Sequence, residues 1–286
     1  MERFDHSGPF GALALAAALA GTPGLASAME EGFHLGLSAF MENLDATAFK
    51  TTDNTHPGNA TASSGRAFHT RDSDDKAASG FGILAGYTFQ LDNRGLFLSA
   101  EADWAWHGGK ARGRLEWVRD SAAREAAGSN PDWPQSGESW PDGWTFEKDR
   151  SYGVTLRLGG RPGFLAAALG PGSGLYLMAG IRRVETEYIV TYEGCPRADG
   201  CPGGREDESY TRGRDRVEKD YTAWTAGIGL HAPLGDRTGV QVEVYYTDYG
   251  KEDPLHLDRR NAPHIGVLHA LEVEAVGLRL RLLRHF

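Results

Sequence analysis

Six charged side chains interrupt otherwise apolar alternating segments: Glu101 and Asp103, Arg157, Glu243, and the pair Arg279 and Arg281. Three carboxylates and three guanidiniums on one enclosed surface could line a gated or selective pore. They could equally neutralise one another and fill the space, because buried charges persist only when mutually satisfied. The paired network is the reading carried forward. His34, His107 and His231 fall on the same faces or at segment ends, while His256, His264 and His269 lie in or beside the last long connection. No two of them show metal-ligand spacing, so neither metal nor cofactor is expected. Cys195 and Cys201 bracket the turn-rich Pro196-Arg197-Ala198-Asp199-Gly200, with no further cysteine and no neighbouring histidine. In an oxidising compartment such a pair is expected to close its loop as a disulfide. Gly170-Pro171-Gly172-Ser173-Gly174 lacks the lysine of a phosphate loop and reads as a turn.

The elements that must position these groups follow from composition and period. The 286 residues carry a net charge of −9, and 38 of them are glycine, about twice the usual ~7%. The acidic balance argues against a general nucleic-acid binder. No stretch approaches the roughly 20 apolar residues of a membrane-spanning helix, which excludes a bundle of such helices. Residues 10–20 form a short apolar run that ends, through small residues, in Ala26-Ser27-Ala28. That arrangement predicts a secretory signal peptide over residues 1–28, cleaved after Ala28, and a single mature domain over 29–286.

Eight segments of about ten residues alternate with period two: Gly32–Glu42, Gly80–Leu91, Leu96–His107, Ser151–Gly159, Leu175–Val190, Tyr221–His231, Gly239–Tyr249 and Val273–Phe286. In the third, Leu96, Leu98, Ala100, Ala102, Trp104 and Trp106 form one face, and Glu101 and Asp103 sit on the other. Long connections (43–79, 108–149, 191–220, 250–270) alternate with shorter ones near 92–95, 160–174 and 232–238. The run Phe164-Leu165-Ala166-Ala167-Ala168-Leu169 is expected to prolong its flanking strands.

An even strand number, short turns at one end and long loops at the other is the plan of an outer-membrane barrel. Charges beside glycines on the minority face suit a narrow polar lumen with the apolar face turned to lipid. The fold expected is an all-β, eight-stranded antiparallel transmembrane β-barrel with four long extracellular loops. Phe81, Trp104, Trp106, Tyr152, Tyr221, Trp224, Tyr246 and Tyr249 are expected to form an interfacial girdle. Trp117, Trp133, Trp140 and Trp144 fall in the second long loop, where they would pack the loop on itself or rest on headgroups.

Three stretches carry a resemblance. Val242-Glu243-Val244-Tyr245-Tyr246-Thr247-Asp248-Tyr249-Gly250-Lys251 resembles the tyrosine-rich strand of small outer-membrane barrels of the OmpA-like and immunogenic-porin type. Leu98-Ser99-Ala100-Glu101-Ala102-Asp103 resembles their third strand, and Thr155-Leu156-Arg157-Leu158-Gly159 their fourth. The chain ends in Phe286, as substrates of the outer-membrane assembly machinery do, although Arg284 departs from the usual apolar residue. The resemblance implies a monomer in the cell outer membrane, whose partners are its lipid and lipopolysaccharide and, through Phe286, the assembly machinery. The His-x-Ser-Asn motif of barrel lipid A deacylases is missing. The expectation is therefore a non-enzymatic envelope protein with a structural or surface-interaction role. A small passive pore is the alternative, and haem capture or lipid A modification stand behind it.

Overall fold

The computed structural model describes residues 31–53, 67–92, 95–115, 142–194, 203, 206, 208, 211–256 and 266–286. Among the described residues nine strands and one short helix follow in order: β1 (Gly32–Asp53), β2 (Ala67–Gln90), β3 (Phe97–Gly108), β4 (Lys110–Leu115), β5 (Asp142–Gly160), α1 (Gly163–Leu169), β6 (Gly174–Gly194), β7 (Thr211–Pro233), β8 (Thr238–His256) and β9 (Gly266–His285). Every described pairing is antiparallel. Neighbours run β3-β2-β1-β9-β8-β7-β6-β5-β4, and the additional β3–β5 pairing closes the ring. β3 and β4 are one wall strand broken at Gly109, whose φ of 115° breaks the extended path. Eight strands therefore form the barrel.

The apolar face of the lower wall points outward. Leu35, Leu37, Met41, Ile83, Phe89, Val154, Leu156, Leu158, Leu177, Ile228, Val244, Val276 and Leu278 are all exposed, although each is apolar. Only a hydrocarbon surround makes such a surface favourable, and hydrocarbon also demands the closed hydrogen-bonded ring. Higher up, the preference inverts. On β1, Leu35, Leu37 and Met41 face out, whereas Leu44, Ala46 and Ala48 face in. On β9, Val276, Leu278 and Leu280 face out while Leu271, Val273 and Ala275 face in. The inversion marks where the wall leaves lipid and enters water.

Above that level the ring parts into two sheets. The β2–β3 ladder stops at Ser79↔Gly108, so residues 67–78 of β2 pair only with β1. The β7–β8 ladder stops at Trp224↔Asp248, next to a bulge at Tyr249 and Gly250 (φ 74°). One sheet thus contains the upper β2, β1, β9 and β8; the other contains β4, β5, β6 and the upper β7. Across the first seam the Asp72 and Asp74 carboxylates accept from the backbone N–H of Arg114 (2.7 Å) and Arg112 (2.9 Å). Asp72 also accepts from Trp144 Nε1 at 2.7 Å. Side chains here do the work of a missing ladder.

Several expectations require correction. Large parts of the four long connections are wall: residues 43–53, 67–79, 110–115, 142–149, 191–194, 211–220, 250–256 and 266–270 belong to strands. On β1 and β5 the apolar side chains Leu44, Ala46, Ala48, Trp144 and Phe146 of these stretches face inward, opposite to those of the lipid-facing segments, which hides them from a search for one continuous alternation. Phe164–Leu169 prolongs neither strand; it lies in α1. Tyr221 and Tyr249 leave the girdle, being buried inside. Trp144 is buried as well, on β5. Phe81, Trp104, Tyr152 and Trp224 do lie on the outer surface. Ala28, Cys195, Cys201, Trp117, Trp133, Trp140 and His264 lie outside the described residues.

Candidate functional site

The strongest concentration of chemistry is the barrel interior, which is stratified. The lower charged layer combines Glu101 of β3, Arg157 of β5, Glu243 of β8 and Arg279 and Arg281 of β9. Strand parity turns each inward, and all are buried. Glu101 Oε1 lies 2.6 Å from Arg157 Nη1, and its Oε2 accepts from Arg281 Nη1 at 2.6 Å. Glu243 Oε1 accepts from Arg157 Nε at 2.9 Å and from the Tyr176 hydroxyl at 3.0 Å. Its Oε2 is 3.1 Å from Arg281 Nε and 3.6 Å from Arg279 Nη1. Two carboxylates therefore serve three guanidiniums. Arg279 also stacks over the Tyr245 ring at 4.5 Å, and His34 Nε2 stands 3.3 Å from Glu101 Oε1.

Five of the six charged residues singled out in the sequence meet in this layer. Asp103 stands apart and pairs with Arg182 of β6. Arg182 escaped the sequence reading, although its parity, opposite to exposed Ile181, marks it as inward-facing. Also missed was the pair Glu42 and Lys148, because Glu42 ends the first alternating segment and Lys148 lies within the connection 108–149 read as a loop. Lys148 Nζ donates to the Tyr249 hydroxyl at 3.0 Å, and His107 Nε2 lies 2.8 Å from Ser151 Oγ.

Glycine opposite tyrosine makes these layers possible. A Cβ on Gly229 would stand 2.3 Å from Tyr176 Cζ, and one on Gly277 would stand 2.5 Å from Tyr245 Cζ. Gly277→Ala is expected to cost about 1–3 kcal/mol through overpacking. Urea titration of the vesicle-inserted protein measures it, and an unchanged midpoint would show that Tyr245 has room to move.

An apolar layer closes the interior above the charges. Leu44, Ala46, Leu271 and Val273 from one upper sheet pack with Leu115, Trp144, Phe146, Val184, Val190 and Tyr221 from the other. The Phe146 and Tyr221 rings meet edge to face, their centroids 6.2 Å apart. Over this layer lies a second polar cluster bridging the sheets: Lys50 Nζ is 2.8 Å from Asp142 Oδ2, His269 Nε2 is 3.3 Å from the same oxygen, and the Tyr188 hydroxyl lies 3.1 Å from His269 Nδ1. An aspartate beside a histidine could move protons, but all four side chains are sealed from solvent. Among the described residues no group of three or more His, Cys, Asp or Glu is arranged to hold a metal ion.

A closed antiparallel ring, lipid-facing outside and charged within, matches a known family over residues 12–267, described as the outer membrane protein beta-barrel domain. The chain belongs to that family. Its place is the cell outer membrane. Among solved structures the barrel is similar to Neisserial surface protein A, at 11% identity and TM-score 0.31, covering 87% of this chain and 99% of that one. It is also similar to the attachment invasion locus protein Ail of Yersinia pestis, at 12% identity and TM-score 0.31, covering 90% and 100%. A third is the outer membrane protease OmpT from Escherichia coli, at 10% identity and TM-score 0.45, covering 88% and 97%. No curated protein matches.

Proposed function

We propose that this barrel is a non-enzymatic envelope protein, a monomer whose role is structural or lies in surface interactions made by its extracellular half. The observation that carries this reading is the filled interior. Charged, polar and apolar layers follow one another along the axis, with their side chains buried. An eight-stranded barrel is narrow enough for side chains to fill it. The sealed Asp142–His269 pair offers no atom to a substrate, which favours a non-enzymatic role. Outer-membrane lipid and lipopolysaccharide are the proposed surroundings, with Phe286 presented to the assembly machinery. Phe286 is exposed, and its N–H donates to the Phe33 carbonyl at 3.0 Å, pinning the chain end beside the first strand. The proposal keeps signal cleavage after Ala28 and a Cys195–Cys201 disulfide.

Planar-bilayer recording tests the filled lumen. The expected result is the absence of steady channels; stable unitary conductance, reduced by Arg157→Ala, would overturn the reading in favour of a pore. A binding screen with residues 116–141 and 195–210 deleted tests the surface role. Binding lost with the deletion supports it, and binding untouched by it moves the role away from these segments.

A further inference from the structure

We infer that α1 and its flanking turns are a membrane anchor that dips into the inner, phospholipid leaflet of the outer membrane. The connection Arg161–Ser173 joins β5 to β6 at the end of the barrel where both chain termini of the wall lie, and the side chain of Arg161 at its start lies against Gly95 of the neighbouring turn. From Pro162 to Ile181 the sequence has no Asp, Glu, Lys or Arg. By contrast, the turn from β7 to β8 presents the exposed Asp236 and Arg237 to water, and the sequence of the turn from β2 to β3 carries Asp92 and Arg94. The contrast is one of composition within one rim.

Packing sharpens it. None of the residues of α1 is buried, and Phe164 is 67% exposed. Phe164, Ala167 and Ala168, at helical spacing, share one exposed face, while Leu165 and Ala166 are half-covered. Seven residues are too few for a helix to persist in water by itself, and no side chain caps its start. Held in water, this segment would expose apolar surface without compensation. Its neighbours identify what covers it. Leu158, Leu175 and Leu177, on the strands it joins, and Leu96, beside Gly160, already belong to the lipid-facing belt. The exposed helix face continues that belt past the last ladder pair, Gly160↔Leu175. A short apolar helix continuous with a lipid-facing surface lies in the membrane interface, its rings and methyls among the upper acyl carbons. Ser173 closes the following turn by donating to the Gly170 carbonyl at 2.8 Å, so few polar groups are carried along.

Nitroxide scanning tests the anchor. Phe164→Cys, Ala167→Cys and Ala168→Cys are each made in a Cys195→Ser/Cys201→Ser background, labelled, and reconstituted into phosphatidylethanolamine–phosphatidylglycerol vesicles. Heat-modifiable migration selects folded protein. Leu177→Cys serves as the lipid reference and Asp236→Cys as the water reference. The expected oxygen-to-nickel-chelate accessibility ratio at the three sites lies within about twofold of Leu177 and at least about fivefold above Asp236. Ratios equal to that of Asp236 would place the helix in water and overturn the inference. Exclusion of both probes would overturn it in favour of packing against protein. A second measurement needs no label: Phe164→Asp is expected to insert from urea into the same vesicles about tenfold more slowly than wild type, with Asp236→Ala unchanged. Equal insertion rates would count against the anchor.

Discussion

Replacing Glu243 by alanine is expected to lower the unfolding free energy by about 3–5 kcal/mol. The size follows from what remains. Arg157 and Arg281 would be left with the carboxylate of Glu101, Arg279 would lose the carboxylate it faces, and the Tyr176 hydroxyl would lose its acceptor. Three guanidiniums in a closed interior repel one another, and a water admitted to the space left by the side chain would not replace the lost charge. Breaking a buried pair costs far more than the pair contributes over apolar residues, because the orphaned charge keeps its desolvation penalty. The measurement is urea unfolding of the vesicle-inserted barrel, followed by heat-modifiable migration. Asp103→Asn is the comparison, since Asp103 sits outside this layer and answers chiefly to Arg182. It should cost less than Glu243→Ala. Equal costs would show that the two acids belong to one network and not to separate layers.

Trp144→Ala is expected to be comparably severe, at about 3–5 kcal/mol, for a different reason. Its ring fills the apolar layer between the two upper sheets, and its indole N–H donates to the Asp72 carboxylate that spans the first seam. Alanine would leave a cavity where the sheets meet and remove one of the side-chain bonds that stand in for a ladder. Trp144→Phe separates the two contributions: it retains most of the ring, and the lost hydrogen bond should cost about 1 kcal/mol. Asp72 would still accept from the Arg114 backbone. Limited proteolysis locates the damage. Cleavage should rise in the upper sheets of the Trp144→Ala protein while the lower, lipid-embedded ring stays protected. Uniform protection throughout would show that the upper sheets are held mainly by their own ladders.

Both variants act on elements that differ sharply in how far they could be read from sequence. Glu101, Asp103, Arg157, Glu243, Arg279 and Arg281 announce themselves by interrupting an apolar alternation, so their inward placement follows from period two alone. Their partners do not. Arg157 and Glu243 are 86 residues apart in the chain, and which guanidinium reaches which carboxylate depends on the height each attains across a closed ring. Asp103, two residues from Glu101, goes to Arg182 instead. Trp144 shows the opposite failure. Sequence alone places it in a loop because residues 142–148 reverse the orientation of the lipid-facing part of β5, with Trp144 and Phe146 inside and a register shift between Lys148 and Arg150. A search that assumes one orientation per strand stops at that point.

Alternation, glycine content and the tyrosine-rich stretch around Glu243 were enough to determine an eight-stranded outer-membrane barrel, and with it the inward charges and the outer apolar belt. Lipid imposes that much locally: every spanning residue must face either hydrocarbon or lumen, and the choice is written in its polarity. Tertiary structure alone decided the pairing of the charges, the parting of the upper wall at Gly109 and Gly250, and the apolar layer that joins the two sheets. Those features arise from contacts between strands far apart in the chain. Above the membrane, water outside restores the ordinary rule that apolar side chains turn inward, so the same chain obeys two opposite patterns along one strand.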